Sequence, residues 1–186
     1  GDIMARAVFT YGRFNPPTMG HDVLIDKLKS IAKGDRVFVF TSQSNDPKRN
    51  PLDYKKKTAY MKKAFRGVTV VDSPKIRNMF DAIDLLGKKY DEIVMVVGSD
   101  RVQSISRSAI KSAAKMGIKM SVQSAGERDP DAEGSKGMSA SKMRAAAARD
   151  DYSAFMVGCP ASLGKKDCLN LFKDIKAAMG VNESNQ

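Results

Sequence analysis

Ala7-Val8-Phe9-Thr10-Tyr11-Gly12-Arg13-Phe14-Asn15-Pro16-Pro17-Thr18-Met19-Gly20-His21 decides the fold of this 186-residue chain and carries its only histidine. The apolar, β-branched run Ala7 to Tyr11 reads as a strand. Gly12, Asn15, Pro16 and Pro17 then build a tight loop, and a helix starts beyond it with an imidazole at its mouth. Backbone N–H groups at a helix N-terminus lack partners and carry partial positive charge, so such a junction is a natural phosphate seat. A histidine placed there can donate to a phosphate oxygen.

Short strand runs recur further along: Arg36 to Thr41, Val68 to Asp72, Glu92 to Gly98 and Lys119 to Gln123. Between them lie helical patterns. Leu24, Ile25, Leu28, Ile31 and Ala32 share one face of a helix that stops at Gly34. Lys55 to Phe65 follows Asn50-Pro51-Leu52-Asp53, where the aspartate can cap. Met79 to Leu86 is expected to close at Gly87, and Ser104 to Met116 to end at Gly117. A helix starts near Ser141, and an amphipathic helix, Leu169 to Met179, comes last. Five strands alternating with helices predict an α/β fold with a parallel sheet covered on both faces. From Ser124 to Gly137 the chain supplies no core face. That stretch reads either as a flap over a ligand or as disorder without function.

The chain is 42% hydrophobic, enough for one well-buried core, so a single domain from residue 4 to 186 is expected. Gly1-Asp2-Ile3 ahead of Met4 reads as an expression scar. The longest strongly apolar segment, Ile93 to Val97, has only strand length and no signal pattern is present, so no membrane contact and a cytoplasmic setting are expected. Cys159 and Cys168 stand nine positions apart without neighbouring metal-ligand partners, so neither a disulfide framework nor a zinc site is expected, and both read as reduced thiols. Thirty-two Lys and Arg against 21 acidic residues give a formal charge of +11, which favours anionic partners without naming one.

The segment from Gly12 to His21 resembles the signature of the nucleotidylyltransferases, whose hallmark is His-x-Gly-His or Thr-x-Gly-His. Their second hallmark, Ile-Ser-Ser-Thr-x-x-Arg, is similar to Met138-Ser139-Ala140-Ser141-Lys142-Met143-Arg144. The resemblance implies a Rossmann-like, doubly wound, five-stranded parallel sheet of order 3-2-1-4-5. It also implies transfer of a nucleotidyl group from a nucleoside triphosphate, with release of pyrophosphate. In that scheme His21 donates to the α-phosphate, and Thr18 caps the helix, donates to phosphate, or both. Gly20 lets the backbone approach the phosphates. Arg13 and Phe14 belong to a Gly-Arg-Phe pattern seen in archaeal-type nicotinamide mononucleotide adenylyltransferases, in which the arginine faces the triphosphate.

Ser139, Ser141 and Arg144 would form a second phosphate clamp, although Ser141 can instead serve only as a helix cap and Ala140 stands where the family has serine. Gly98 and Asp100, after the fourth strand, resemble a Gly-x-Asp whose carboxylate accepts from the ribose hydroxyls. A capping role for Asp100 stays open. Lys48, Arg49, Lys55, Lys56 and Lys57 can meet the phosphate of an acceptor, with a solvated helix face as the alternative reading for at least two of them. ATP as substrate, bound with magnesium through phosphate oxygens and water, is implied by the chemistry; no all-protein metal site is.

The acceptor this suggests is a phosphorylated small molecule, nicotinamide or nicotinate mononucleotide by its Asn15-Pro16-Pro17. A cytidylyltransferase using CTP is the alternative enzyme. Those proteins carry Arg-Thr-x-Gly-Ile-Ser-Thr where this chain has Ser135-Lys136 followed by Gly137-Met138-Ser139. A non-catalytic nucleic-acid-binding module would fit the charge but not the scarcity of aromatic residues. A homo-oligomer is left open.

Overall fold

The computed structural model describes residues 5–126 and 139–181. The described residues group into two compact units, one of residues 5–12, 24–42 and 67–126, the other of residues 13–23, 43–66 and 139–181.

The first unit is built on a parallel sheet of five strands: β1 (Arg6–Gly12), β2 (Arg36–Thr41), β3 (Thr69–Val70), β4 (Glu92–Val97) and β5 (Lys119–Ser124). Their order is β3-β2-β1-β4-β5. Ala7 pairs with Arg36 on one side and Ile93 on the other, which places β1 at the centre. The β1 and β4 strands are near-continuous apolar runs, as strands covered on both faces require, and their middle residues are buried. Phe9, Phe40, Ile83, Leu86 and Met95 lie in the core of this unit. Thr10, a polar residue in that interior, donates its hydroxyl to the Val96 carbonyl at 2.8 Å and so satisfies itself across the sheet.

Helix α1 (Met19–Ala32) starts in the second unit and continues in the first. It ends where Gly34 takes a φ of +96°, the left-handed stop expected of it. Helix α3 (Met79–Gly87) is capped by the Asn78 side chain, which accepts the N–H groups of Phe80 and Asp81 at 3.0 Å each. Gly87 is the last residue of α3 rather than a stop beyond it, and Lys88 follows in right-handed conformation. Close packing explains the glycine instead: a Cβ at that position would lie 1.9 Å from Cδ1 of Ile118. A single 3-10 turn (Ser99–Arg101) leads into α4 (Val102–Lys115).

The second unit holds the loop after β1 together with α2 (Tyr54–Ala64), α5 (Ala140–Ala148), α6 (Tyr152–Met156) and α7 (Lys165–Ala178). Its core gathers Leu52, Met143, Phe155, Leu171 and Ile175. Asp53 caps α2 by accepting from the Lys56 N–H at 2.8 Å, as expected. Helix α7 begins four residues before Leu169, because its first turn, Lys-Lys-Asp-Cys, is polar and gives no apolar period. Helix α6 has only five residues and likewise leaves no periodic trace.

Cys159 and Cys168 correct one expectation. They form a disulfide, with 6.2 Å between their Cα atoms. The loop between α6 and α7 turns back at Pro160 to Gly164 and brings α7 against Cys159, a proximity that spacing alone does not display. Among the described residues no helix is long and apolar enough to cross a membrane. The initial Gly1-Asp2-Ile3 and, from residue 127 onward, the proposed flap lie outside the described residues.

Candidate functional site

The chain leaves β1 at Gly12 and runs through Arg13–Thr18 into α1, and in the second unit this loop is held from several sides. Asn15, 1% exposed, pairs with the backbone of Leu52 in both directions: its Nδ2 donates to the Leu52 carbonyl at 3.1 Å, and its Oδ1 accepts the Leu52 N–H at 2.9 Å. Nζ of Lys57 donates to the Arg13 carbonyl at 2.7 Å. Nη1 of Arg144 donates to the Asn15 carbonyl at 2.8 Å. Two cations from different helices thus converge on carbonyls two residues apart.

Between those anchored carbonyls sits Phe14, at a φ of +48°, in the left-handed region that a bulky residue seldom adopts. The turn throws its ring onto His21, with the centroids 4.5 Å apart. Phe65, at the end of α2, meets both rings, at 5.6 Å from Phe14 and 6.4 Å from His21. The imidazole is therefore packed by two aromatic rings and is 2% exposed.

Thr18 and His21 form a reciprocal cap on α1. The His21 N–H faces the Thr18 hydroxyl oxygen at 3.4 Å, while the Thr18 N–H donates to Nδ1 of His21 at 2.9 Å. This is the capping-box arrangement with an imidazole standing where glutamate or glutamine usually reaches back. Since Nδ1 accepts, the neutral ring carries its proton on Nε2. The second end of the first turn is also fixed: the Met19 N–H donates to the Gly158 carbonyl and Asp22 accepts from the Ala161 N–H, both at 2.9 Å.

The second motif lies in the same unit. Ser139 is the cap of α5, accepting from the Lys142 N–H at 3.2 Å, and its hydroxyl lies 3.0 Å from that of Ser141. The capping alternative considered for Ser141 thus falls to Ser139, and the helix opens at Ala140. Ser141 and Arg144 are half-buried. In this way the fold brings together Arg13, Phe14, Thr18, Gly20, His21, Ser139, Ser141 and Arg144 in one unit. Gly98 and Asp100 belong to the other, at the end of β4, the strand that neighbours β1 where the order of the sheet reverses. Asp100 is exposed, and the cap position of α4 is taken by Arg101, without a side-chain bond.

Of the five basic residues after β2, Lys48, Arg49, Lys55 and Lys56 are exposed and Lys57 is wholly buried. Asp46 organises their loop. Its carboxyl is held down to about 2, first by the Arg49 N–H and then by the Asn50 side chain. A cleft of about 320 Å³ opens beside Asp46, Asp53, Lys56 and Asp174. Three carboxylates against one ammonium do not suit a triphosphate in this cleft.

Phe65 and the Asn15–Leu52 pairing are elements of this site that sequence reasoning did not isolate, and Lys57, expected among the cations that could meet an acceptor's phosphate, is buried on the Arg13 carbonyl instead. The spacing of Lys57 with Met61 and Ala64 along the buried stripe of α2 was the available signal.

The family model for cytidylyltransferase-like proteins matches residues 9–157, and the chain belongs to that family. Two curated relatives, from Thermosipho melanesiensis and Acholeplasma laidlawii, are named as probable nicotinate-nucleotide adenylyltransferases. They are 29% and 23% identical over 103 residues, each match covering 52% of this chain. The matches take in 52% and 55% of those relatives, so the chain spans about half the length of the curated relatives it matches. A solved structure from Vibrio parahaemolyticus, described under the name of a nicotinate-nucleotide adenylyltransferase, shares the fold. Its TM-score is 0.61 at 17% identity, covering 90% of this chain and 99% of that one.

Proposed function

We propose that this protein transfers AMP from ATP to a phosphorylated small molecule, nicotinate or nicotinamide mononucleotide being the favoured acceptor, and releases pyrophosphate. The observation that carries this reading is the bond from the Thr18 N–H to Nδ1 of His21, which leaves Nε2–H as a donor at the start of α1. A phosphate oxygen of the acceptor attacks the α-phosphorus in line. The bond from that phosphorus to the bridging oxygen breaks, and the electron pair leaves with pyrophosphate.

Such a reaction needs positioning and neutralisation of charge more than covalent help. His21 donates to the α-phosphate oxygen on which charge grows, while the backbone of Gly20, in the first turn of α1, receives the phosphates. Arg13, Arg144, Ser139 and Ser141 hold the β- and γ-phosphates, with Thr18 fixing the imidazole and adding a hydroxyl. Phe14 packs the imidazole. Magnesium arrives with ATP, bound to phosphate oxygens and water.

The names of the curated relatives, and Arg144 three residues after Ser141, support the adenylyl reading. The family's cytidylyltransferase-like description keeps CTP as the competing donor. Measuring pyrophosphate release with ATP and with CTP, each against nicotinate and nicotinamide mononucleotides, tests the choice. Release from ATP with either mononucleotide is the expected result. Release from CTP alone overturns it, and salt-sensitive RNA binding with no turnover would favour a binding module instead.

A further inference from the structure

We propose that Lys57 is a positioning residue: by gripping the Arg13 carbonyl it sets the Phe14 turn that holds the His21 imidazole in its single donor orientation. The inference rests on the transferase reading for its consequence in turnover, but not for its effect on the imidazole.

A lysine in the buried stripe of α2 runs against the pattern of that helix, whose neighbouring inward residues are Met61 and Ala64. Burying an ammonium is costly unless its protons find acceptors, so an interior lysine marks a place where a fixed donor is required. Here the donor meets the Arg13 carbonyl at 2.7 Å. The next residue, Phe14, occupies the left-handed region at a φ of +48°. Left unsupported, that backbone would relax toward negative φ, swinging its ring off the imidazole.

Support comes from α2 on both sides of the turn. Lys57 holds the carbonyl before Phe14, and the Leu52 backbone, next to the α2 cap, holds the Asn15 side chain after it. The far end of the same helix delivers Phe65 against both rings. One rigid element therefore sets the turn, the ring on His21 and the second ring behind it.

Because His21 is the only histidine, its ring nitrogens can be observed without ambiguity by long-range proton–nitrogen NMR. In the unaltered chain we expect the spectrum of one neutral tautomer, with the proton on Nε2. Lys57→Met keeps the apolar stem and removes the donor. It should mix the tautomer signals and lower kcat by roughly 10- to 100-fold, the scale of a small misplacement of a reacting group, with the KM for ATP within about threefold of the original. Lys57→Arg should restore both the spectrum and much of the turnover.

A folded Lys57→Met protein with the original imidazole spectrum and kcat overturns the proposal, as does a rise in acceptor KM at unchanged kcat and spectrum. Should Lys57→Met fail to fold, Lys57→Gln, a shorter neutral donor, puts the same question. Absence of nucleotidyl transfer in the unaltered chain would defeat the functional reading alone, and the imidazole spectrum would still decide the role of Lys57.

Discussion

The backbone N–H of Thr18 donates to Nδ1 of His21 at 2.9 Å, and this one bond turns a helix cap into an oriented donor. An imidazole in solution exchanges its proton between two nitrogens. Here the loop takes one nitrogen as an acceptor and so commits the other to donation. The structural role, satisfying the N–H of the residue that caps α1, and the chemical role, presenting Nε2–H, are two consequences of the same geometry.

Arg144 ties α5 to the loop through the Asn15 carbonyl, and the same guanidinium is assigned to the triphosphate. Arg144→Ala should weaken ATP binding by about 10- to 100-fold, the worth of a charge-assisted contact. Titration calorimetry checks this, and unchanged affinity would remove Arg144 from the clamp.

Asn15→Ala strips both partners from the Leu52 backbone in a buried place. Leaving those groups unpaired should cost about 1–3 kcal/mol, read as a lower urea midpoint. A midpoint equal to that of the original chain would mean that the loop is held without this pairing.

Gly87→Ala should destabilise the first unit by about 1–3 kcal/mol, because the added methyl meets the Ile118 side chain at 1.9 Å. Ile118→Ala removes both side-chain atoms it strikes, Cδ1 at 1.9 Å and Cγ1 at 2.7 Å. In the double variant most of the loss should be recovered; a purely additive pair would show that Gly87 serves the backbone instead.

Tyr60 donates its hydroxyl to Asp174 at 2.5 Å, and burial first, then this bond and the nearby negative charge, push the phenol above its ordinary value of 10.0. A group whose pKa is raised by folding contributes stability that is complete below its unfolded value and falls as pH climbs past it. Denaturant midpoints measured from pH 8 to 11 should therefore decline above about pH 10, and less steeply in Tyr60→Phe. Parallel curves for the two proteins would refute the linkage.

Much of this molecule is readable from its residues because local and global preferences agree. Runs such as Val94-Met95-Val96-Val97 suit only a strand covered on both faces, and Gly34 and Asp53 mark helix ends by the chemistry expected of them. What escaped reading lacked a repeating signal. Helix α6 is too short for a period, and β3 pairs over two residues where five looked strand-like. The Cys159–Cys168 bond depends on how a loop turns. Within Lys55-Lys56-Lys57 three identical side chains meet different fates, and only the stripe with Met61 and Ala64 shows which one points inward. For the candidate site, the motif residues were legible, whereas the Phe14 and Phe65 packing around His21 arises from a left-handed turn that no spacing rule announces.

The central claim is that the imidazole held by Thr18 acts on the α-phosphate. The direct test is the rate of pyrophosphate release from ATP and nicotinate mononucleotide by the unaltered chain and by His21→Ala. The account predicts a fall in kcat of roughly two to three orders of magnitude, the scale of one lost oxyanion donor, with ATP binding much less affected. Near-full turnover in His21→Ala would contradict it.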